Sequence, residues 1–251
     1  MSASGFNRRD LLAAGALVGS VAVLSPPAES RSISGRVPWQ PDQAAAPPSA
    51  VPGASEPSPF FTVVERNFID AAVSRLIPAD NLGPGAKEAG ATIFIDRQLS
   101  GAFGQGQTWY MQGPWGDGVP TQGFQSRMTP AQIYRAAIKA IDDLCRKQFG
   151  NKPFAELSGG QQDQMLIGLE KGEVRLESVN AKTFFDMLLQ NTIEGFWSDP
   201  IYGGNRDMVG WKLIGFPGAR YDYRDYVSKH GEVFPLPPVG IKGRPDWNPH
   251  S

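Results

Sequence analysis

Residues 129–150 read TPAQIYRAAIKAIDDLCRKQFG. Thr129 and Gln132 stand at the spacing of a capping box, and Pro130 falls on the first helical position, where its missing N–H costs nothing. Ile133, Ala137, Ile141, Leu144 and Cys145 then recur at helical period as one apolar stripe, and Phe149-Gly150 supplies the stop. The same grammar extends in both directions. Thr62-Val63-Val64-Glu65 opens a helix carrying Val64, Phe68, Ala72 and Leu76 that ends before Pro78. A second is predicted over 87–99 with Ala89, Ile93 and Phe94, stopped by Gly101. Ser158-Gly159-Gly160-Gln161 starts a shorter one bearing Met165, Leu166 and Leu169. Asn180 precedes a stronger one with Phe184, Phe185, Leu188, Leu189 and Ile193.

Five helices with no alternating strand pattern predict an all-α fold: one helical domain with long irregular N- and C-terminal arms. Residues 101–125, rich in Gly and Gln and carrying Trp109, Tyr110 and Trp115, read as a long ordered surface loop. Beyond Gly195 the chain becomes too irregular for regular elements and too aromatic for simple disorder, and is expected to lie as an extended arm on a surface.

The first 59 residues follow different rules. Asn7-Arg8-Arg9-Asp10-Leu11-Leu12 leads into an apolar run from Leu11 to Leu24, the order of a signal peptide, and the pair Arg8 and Arg9 points to the twin-arginine (Tat) export route. The run falls short of the ~20 residues needed to span a bilayer. Cleavage is expected near Ser25-Pro26-Pro27-Ala28, with Ala44-Ala45-Ala46 as second choice. From Pro26 to Pro59 there are nine prolines among small and polar residues, a composition that favours an extended linker. The expected divisions are therefore a signal at 1–28, a Pro/Ala-rich arm at 29–59, a helical domain at 60–218 and a C-terminal arm at 219–251. Tat export carries folded cargo, so such a signal on a chain without a cofactor motif suggests a partner loaded beforehand.

Composition removes several classes of function. The 24 basic and 25 acidic residues are scattered and give a net charge of −1, which argues against nucleic acid as a partner. A single cysteine, Cys145, rules out an internal disulfide, a multi-cysteine metal site and a CxxCH haem attachment. With two histidines only, His230 and His250, imidazole chemistry is nearly absent. No GxGxxG follows a strand pattern and no phosphate-binding P-loop is present. The glycines of Ser158-Gly159-Gly160 and Gly203-Gly204-Asn205 read as a cap and a turn.

Asp142 with Asp143, and Glu170 with Glu173, read as solvated helix faces, and residues 199–207 miss the acid order of a calcium loop. No catalytic, cofactor-binding or metal-binding residue is expected. Cys145 on its apolar stripe is a buried thiol or, in an exported protein, one half of an intersubunit disulfide.

Several stretches taken together resemble the gluconate 2-dehydrogenase subunit 3 family over about residues 60–218. They are Arg75-Leu76-Ile77-Pro78-Ala79-Asp80, Gly83-Pro84-Gly85-Ala86, Glu88-Ala89-Gly90-Ala91 and Phe94-Ile95-Asp96-Arg97-Gln98-Leu99. Further on come Thr192-Ile193-Glu194-Gly195-Phe196, Asp199-Pro200, Tyr202-Gly203-Gly204-Asn205, Gly210-Trp211 and Gly215-Phe216-Pro217-Gly218. The resemblance implies a non-catalytic small subunit. A large GMC-type flavoprotein would hold FAD and oxidise a sugar, polyol or gluconate hydroxyl, and a multihaem cytochrome c would hold haem c. This chain would act as Tat escort and maturation partner at the periplasmic face of the inner membrane.

Trp197, Tyr202, Gly203, Gly204, Asn205 and Trp211 are then candidate interface residues, against the alternative that these aromatics close the helical core. Two other readings stay open: an autonomous periplasmic sugar-binding module, and a small hydrolase with Asp199 or Glu194 as acid/base.

Overall fold

The computed structural model describes residues 60–116, 118–119, 122–220, 222–241 and 243. The Arg8-Arg9 signal and the proline-rich arm lie outside the described residues. Among the described residues there are six α-helices: α1 (Val63–Leu76), α2 (Ala91–Ser100), α3 (Pro130–Gln148), α4 (Gly159–Glu170), α5 (Ala181–Trp197) and α6 (Val209–Ile214). Short 3-10 turns stand at Phe154–Glu156, Pro200–Tyr202, Arg206–Met208 and Arg224–Tyr226. Among the described residues there is no strand, only isolated bridges such as Gly218 with Val239, and no helix long and apolar enough to cross a membrane.

Each predicted cap forms. Thr62 accepts the Glu65 N–H while Glu65 accepts that of Thr62 at 2.8 Å, and Thr129 and Gln132 repeat the exchange. Gln161 accepts the Ser158 N–H at 3.0 Å, and Asn180 accepts that of Thr183 at 2.9 Å. The α2 start differs: residues 86–89 are turns and the helix begins at Ala91, because Gly90 takes a left-handed φ of 82° that no helix can pass through. The α5 end differs too. Gly195 does not stop the helix but sits inside it, and a Cβ there would lie 3.1 Å from the Ala91 Cα and 3.1 Å from the Phe94 ring. Gly195 is therefore a point of close approach of α2 and α5.

The core lies where α1, α2, α3, α4 and α5 face one another. Phe68 stacks against Phe154 with ring centroids 4.6 Å apart, and Tyr134 meets Phe184 edge-on at 5.4 Å. In α1 the buried face is Phe68, Ile69, Ala72 and Val73, so the predicted Val64 and Leu76 stand to one side of it. In α5, Ile193 is 38% exposed while Phe184, Phe185 and Leu188 are buried. Tyr134 is wholly buried and its hydroxyl donates to the Asn191 Oδ1 at 2.8 Å; Asn191 in turn donates to Glu194 at 3.1 Å. Burial and the nearby Glu194 charge push the phenol well above its ordinary value. The loop 101–125 carries its own small aromatic cluster, with Phe103, Trp109 and Phe124 in contact.

Candidate functional site

From Gly195 onward the sequence reads as irregular, yet the structure folds it into a tightly fastened cap over the ends of α2 and α5. Asp199 accepts the Ile201 N–H at 3.0 Å and starts the turn Pro200–Tyr202. Gly203 follows with φ 99°, and a Cβ on Gly204 would lie 2.1 Å from the Gly195 carbonyl oxygen. Only glycine fits at 204, so this stretch lies directly on the last turns of α5.

Asn205 is the fastening. Fully buried, it donates its Nδ2 to the Ser198 carbonyl at 2.9 Å and accepts the Gly210 N–H through Oδ1 at 2.9 Å. The backbone N–H of Arg206 reaches across to the Ala89 carbonyl at 2.8 Å, joining the cap to the entry of α2. The Trp211 indole donates to the Trp197 carbonyl at 2.8 Å, and its ring meets Phe216 edge-on at 5.1 Å. Asn205, Asp207 and Met208 carry φ values of 45°, 56° and 55°. Three non-glycine residues in the left-handed region within four positions are costly, and they persist because hydrogen bonds on either side hold them.

The six candidate interface residues therefore divide. Gly204, Asn205 and Trp211 are buried, Trp197 and Gly203 are partly buried, and Tyr202 alone is open, at 50% exposure. Asn205 and Trp211 turn inward, their polar atoms spent on the backbone of the cap. The outward apolar groups are different ones: Leu213, Ile214 and Phe216 on α6 and just beyond it, with Ile214 63% exposed.

The arm beyond residue 218 is laid on the domain but doubles back. Val239 donates to the Pro217 carbonyl at 3.2 Å, and Ile241 donates to the Asp199 carboxylate at 2.7 Å. Between these ties Tyr223, Tyr226 and Phe234 pack together, Arg220 lies 5.1 Å over the Phe234 ring, and Ile214, Pro217, Val227 and Val233 complete an open groove of about 510 Å³. The Arg224 guanidinium holds the Asp222 carboxyl down at about 2.

The residues weighed for chemistry are used structurally. Asp142 accepts the Phe154 N–H at 2.9 Å, and burial raises its carboxyl above the usual range. Asp143 is drawn down by a 2.6 Å contact with Lys139. Glu170 and Glu173 are exposed. Glu194 accepts from Gln190 and Asn191, and both Asp199 oxygens receive backbone N–H groups. Among the described residues no three His, Cys, Asp or Glu side chains gather in one place. Cys145 is fully buried, and burial pushes its thiol up to about 12. An intersubunit disulfide there would require α3 to leave the core.

Sequence reasoning passed over two arginines, Arg97 and Arg206, that border the cap without a hydrogen bond or ion pair from their side chains among the described residues. No short motif links them in the sequence, since Arg206 follows the Gly203-Gly204 pair and Arg97 lies in the helix after Gly90.

The family model described as gluconate 2-dehydrogenase subunit 3 matches residues 64–218, from the first turn of α1 to the bridge at Gly218. No curated protein and no solved structure matches the chain.

Proposed function

Because the chain belongs to the gluconate 2-dehydrogenase subunit 3 family, we propose that it is the non-catalytic small subunit of a periplasmic, FAD-dependent dehydrogenase complex acting on sugar, polyol or gluconate hydroxyls. It escorts a GMC-type flavoprotein through the Tat pathway and stabilises it at the periplasmic face of the inner membrane, where a multihaem cytochrome c subunit accepts the electrons. The observation that carries the reading is the apolar ridge of Leu213, Ile214 and Phe216, which α6 holds outward while Trp211 anchors it from below. Water-facing aliphatic and aromatic groups in one short segment are what a partner subunit would cover.

The residues of this chain do not fit haem c. Haem c attachment takes two thiols and a histidine. The one thiol here is buried in α3 and kept protonated, and His230 lies in the surface arm. FAD chemistry, hydride acceptance from the alcohol carbon, belongs in this reading to the large subunit. What this chain supplies is a preformed surface and an export signal.

The test is to express the tagged chain in its native host, purify it from the periplasm, and record a visible spectrum with a mass census of co-purifying chains. Flavin absorbance with a stoichiometric large partner is expected, and Ile214→Asp should release that partner without unfolding the chain. Colourless, partner-free protein in full yield would overturn the subunit reading. The aromatic groove of Tyr223, Tyr226 and Phe234 favours a second reading, a small-sugar-binding module. That reading predicts saturable binding of gluconate or a hexose by partner-free protein.

A further inference from the structure

The groove of about 510 Å³ between α6 and the C-terminal arm has walls of inclined aromatic rings. Phe234 stands between two tyrosines, at 51° to the Tyr226 ring with centroids 4.6 Å apart and at 62° to the Tyr223 ring at 6.0 Å. Ile214, Val227 and Val233 form apolar rims that are 63%, 69% and 91% exposed. Polar groups are few. The Tyr223 hydroxyl donates to the Gly218 carbonyl, which leaves the Tyr226 hydroxyl and the Glu232 carboxylate as the other polar side-chain groups of the lining. A small polyol is held by several converging polar groups in a site that buries most of its surface. An open trough of ring faces and aliphatic rims with one phenol to donate suits a length of extended chain instead. Proline-rich chain suits it best, because its pyrrolidine rings pack on aromatic faces and its carbonyls point outward, unpaired within the segment.

Such a length of chain belongs to this protein. Residues 47–59, outside the described residues, read PPSAVPGASEPSP, five prolines in thirteen positions with Glu56 as the single charge. Cleavage of the signal at either expected place, near residue 28 or at Ala44-Ala45-Ala46, retains all of it. It joins the domain at Phe60, whose N–H is held by Asp96 at 3.3 Å. At ~3.1 Å per residue, thirteen extended residues reach ~40 Å from that fixed point, against ~28 Å for the whole of the 19-residue α3. The tether is therefore long enough to cross the face of the domain.

We infer that the proline-rich segment 47–59 of this same chain docks in the groove of Tyr223, Tyr226 and Phe234, its prolines against the rings and one of its carbonyls accepting from the Tyr226 hydroxyl. Docking covers Val227 and Val233, two of the most exposed aliphatic groups among the described residues, and so removes apolar surface from water. Proline makes this economical, since a chain already restricted in φ loses little conformational freedom when it is held. The inference is independent of the subunit reading and competes with the small-sugar reading for the same groove.

The test uses the full chain with Ser49→Cys in the segment and Val233→Cys on the groove rim, treated with a short bismaleimide; Cys145 is buried and stays unlabelled. The comparison is the same pair carrying Pro47→Ala, Pro48→Ala and Pro52→Ala, which keeps the tether length and removes the rings. Intramolecular crosslinking should be at least about fivefold higher with the prolines present. Equal yields with and without the prolines would overturn the docking, since tethering alone would then account for the product. Crosslinked dimers that replace the monomeric product as protein concentration rises would overturn it in favour of a segment supplied by a second copy. Gluconate binding with one and the same dissociation constant in the two proteins, abolished by Tyr226→Ala, would overturn it in favour of a sugar site.

Discussion

The carboxylate of Asp96, 4% exposed in the middle of α2, accepts the backbone N–H of Phe61 at 2.8 Å and that of Phe60 at 3.3 Å, so a buried acid fixes the point at which the chain enters the domain. Arg135 closes the same point from α3, donating to the Phe60 carbonyl at 2.8 Å and lying 4.3 Å over its ring. Asp96→Ala leaves a buried N–H unpaired and should lower stability by about 1–3 kcal/mol in urea denaturation. Asp96→Asn, which keeps one acceptor oxygen, should lose less. Equal stability of Asp96→Ala and wild type would show that the entry is held by Arg135 alone.

Asn205 combines a left-handed backbone with two hydrogen bonds, and the two contributions separate by substitution. Asn205→Gly keeps the backbone permissible and removes the bonds; Asn205→Ala removes the bonds and adds strain. Both should destabilise, Ala by about 1 kcal/mol more than Gly. Thermal unfolding reads the order, and a more stable alanine variant would refute this account of the turn.

Cys145 offers a direct reading of core integrity. Native protein at pH 8 should resist thiol labelling by a maleimide or a disulfide reagent, while protein in urea should label fully. The sign with pH follows from the thiol being pushed up: the folded form holds its proton to about 12, whereas the unfolded thiol loses it near 9.0. Stability from this group is therefore complete below about pH 9 and declines as pH rises toward 12. A covalent dimer or mixed disulfide on a non-reducing gel of folded complex would contradict the burial.

Asp142 has the same sign at lower pH. Burial raises its carboxyl in the folded state, partly offset by the Phe154 N–H and the Arg146 charge. The ionised form is thus a cost at neutral pH that disappears as the pH falls through the carboxylate range. Asp142→Asn retains an acceptor for Phe154 and should equal or exceed wild-type stability at pH 7, the advantage shrinking toward pH 4. An advantage that grew on acidification would reverse the assignment.

Gly204→Ala should be far more damaging than Gly160→Ala. A Cβ at 204 meets the Gly195 carbonyl oxygen at 2.1 Å, whereas one at 160 meets nothing within 4 Å. Circular dichroism with thermal melting distinguishes the two, and comparable midpoints would mean that the cap lies less closely on α5 than the structure has it.

Much of this fold was legible because its signals are local. A capping box is complete within four residues, so Thr62, Thr129 and Ser158 announced their helices whatever the rest of the chain did. Cys145 and Phe184 were readable as core from period alone. The errors fell where long-range contacts overrode local preference. Gly195 lies inside α5 as the bare surface against which α2 packs, and Val64 and Ile193 fit the period while standing 56% and 38% exposed.

The candidate site was legible in composition and not in role. Tyr202-Gly203-Gly204-Asn205 stood out in the sequence, but whether an aromatic or an amide faces solvent or core depends on which backbone lies beneath it, and that backbone ranges from Ser198, close by in sequence, to Ala89, far from it. The helix starts at Thr62, Thr129, Ser158 and Asn180 follow from the sequence alone, because a cap is set by neighbours within one turn. That Asn205 and Trp211 turn inward, that Leu213 and Ile214 turn outward, and that Gly90 and Gly203 lie against each other was decided only by the tertiary structure, because sequence spacing carries no record of which distant surfaces exclude water from each other.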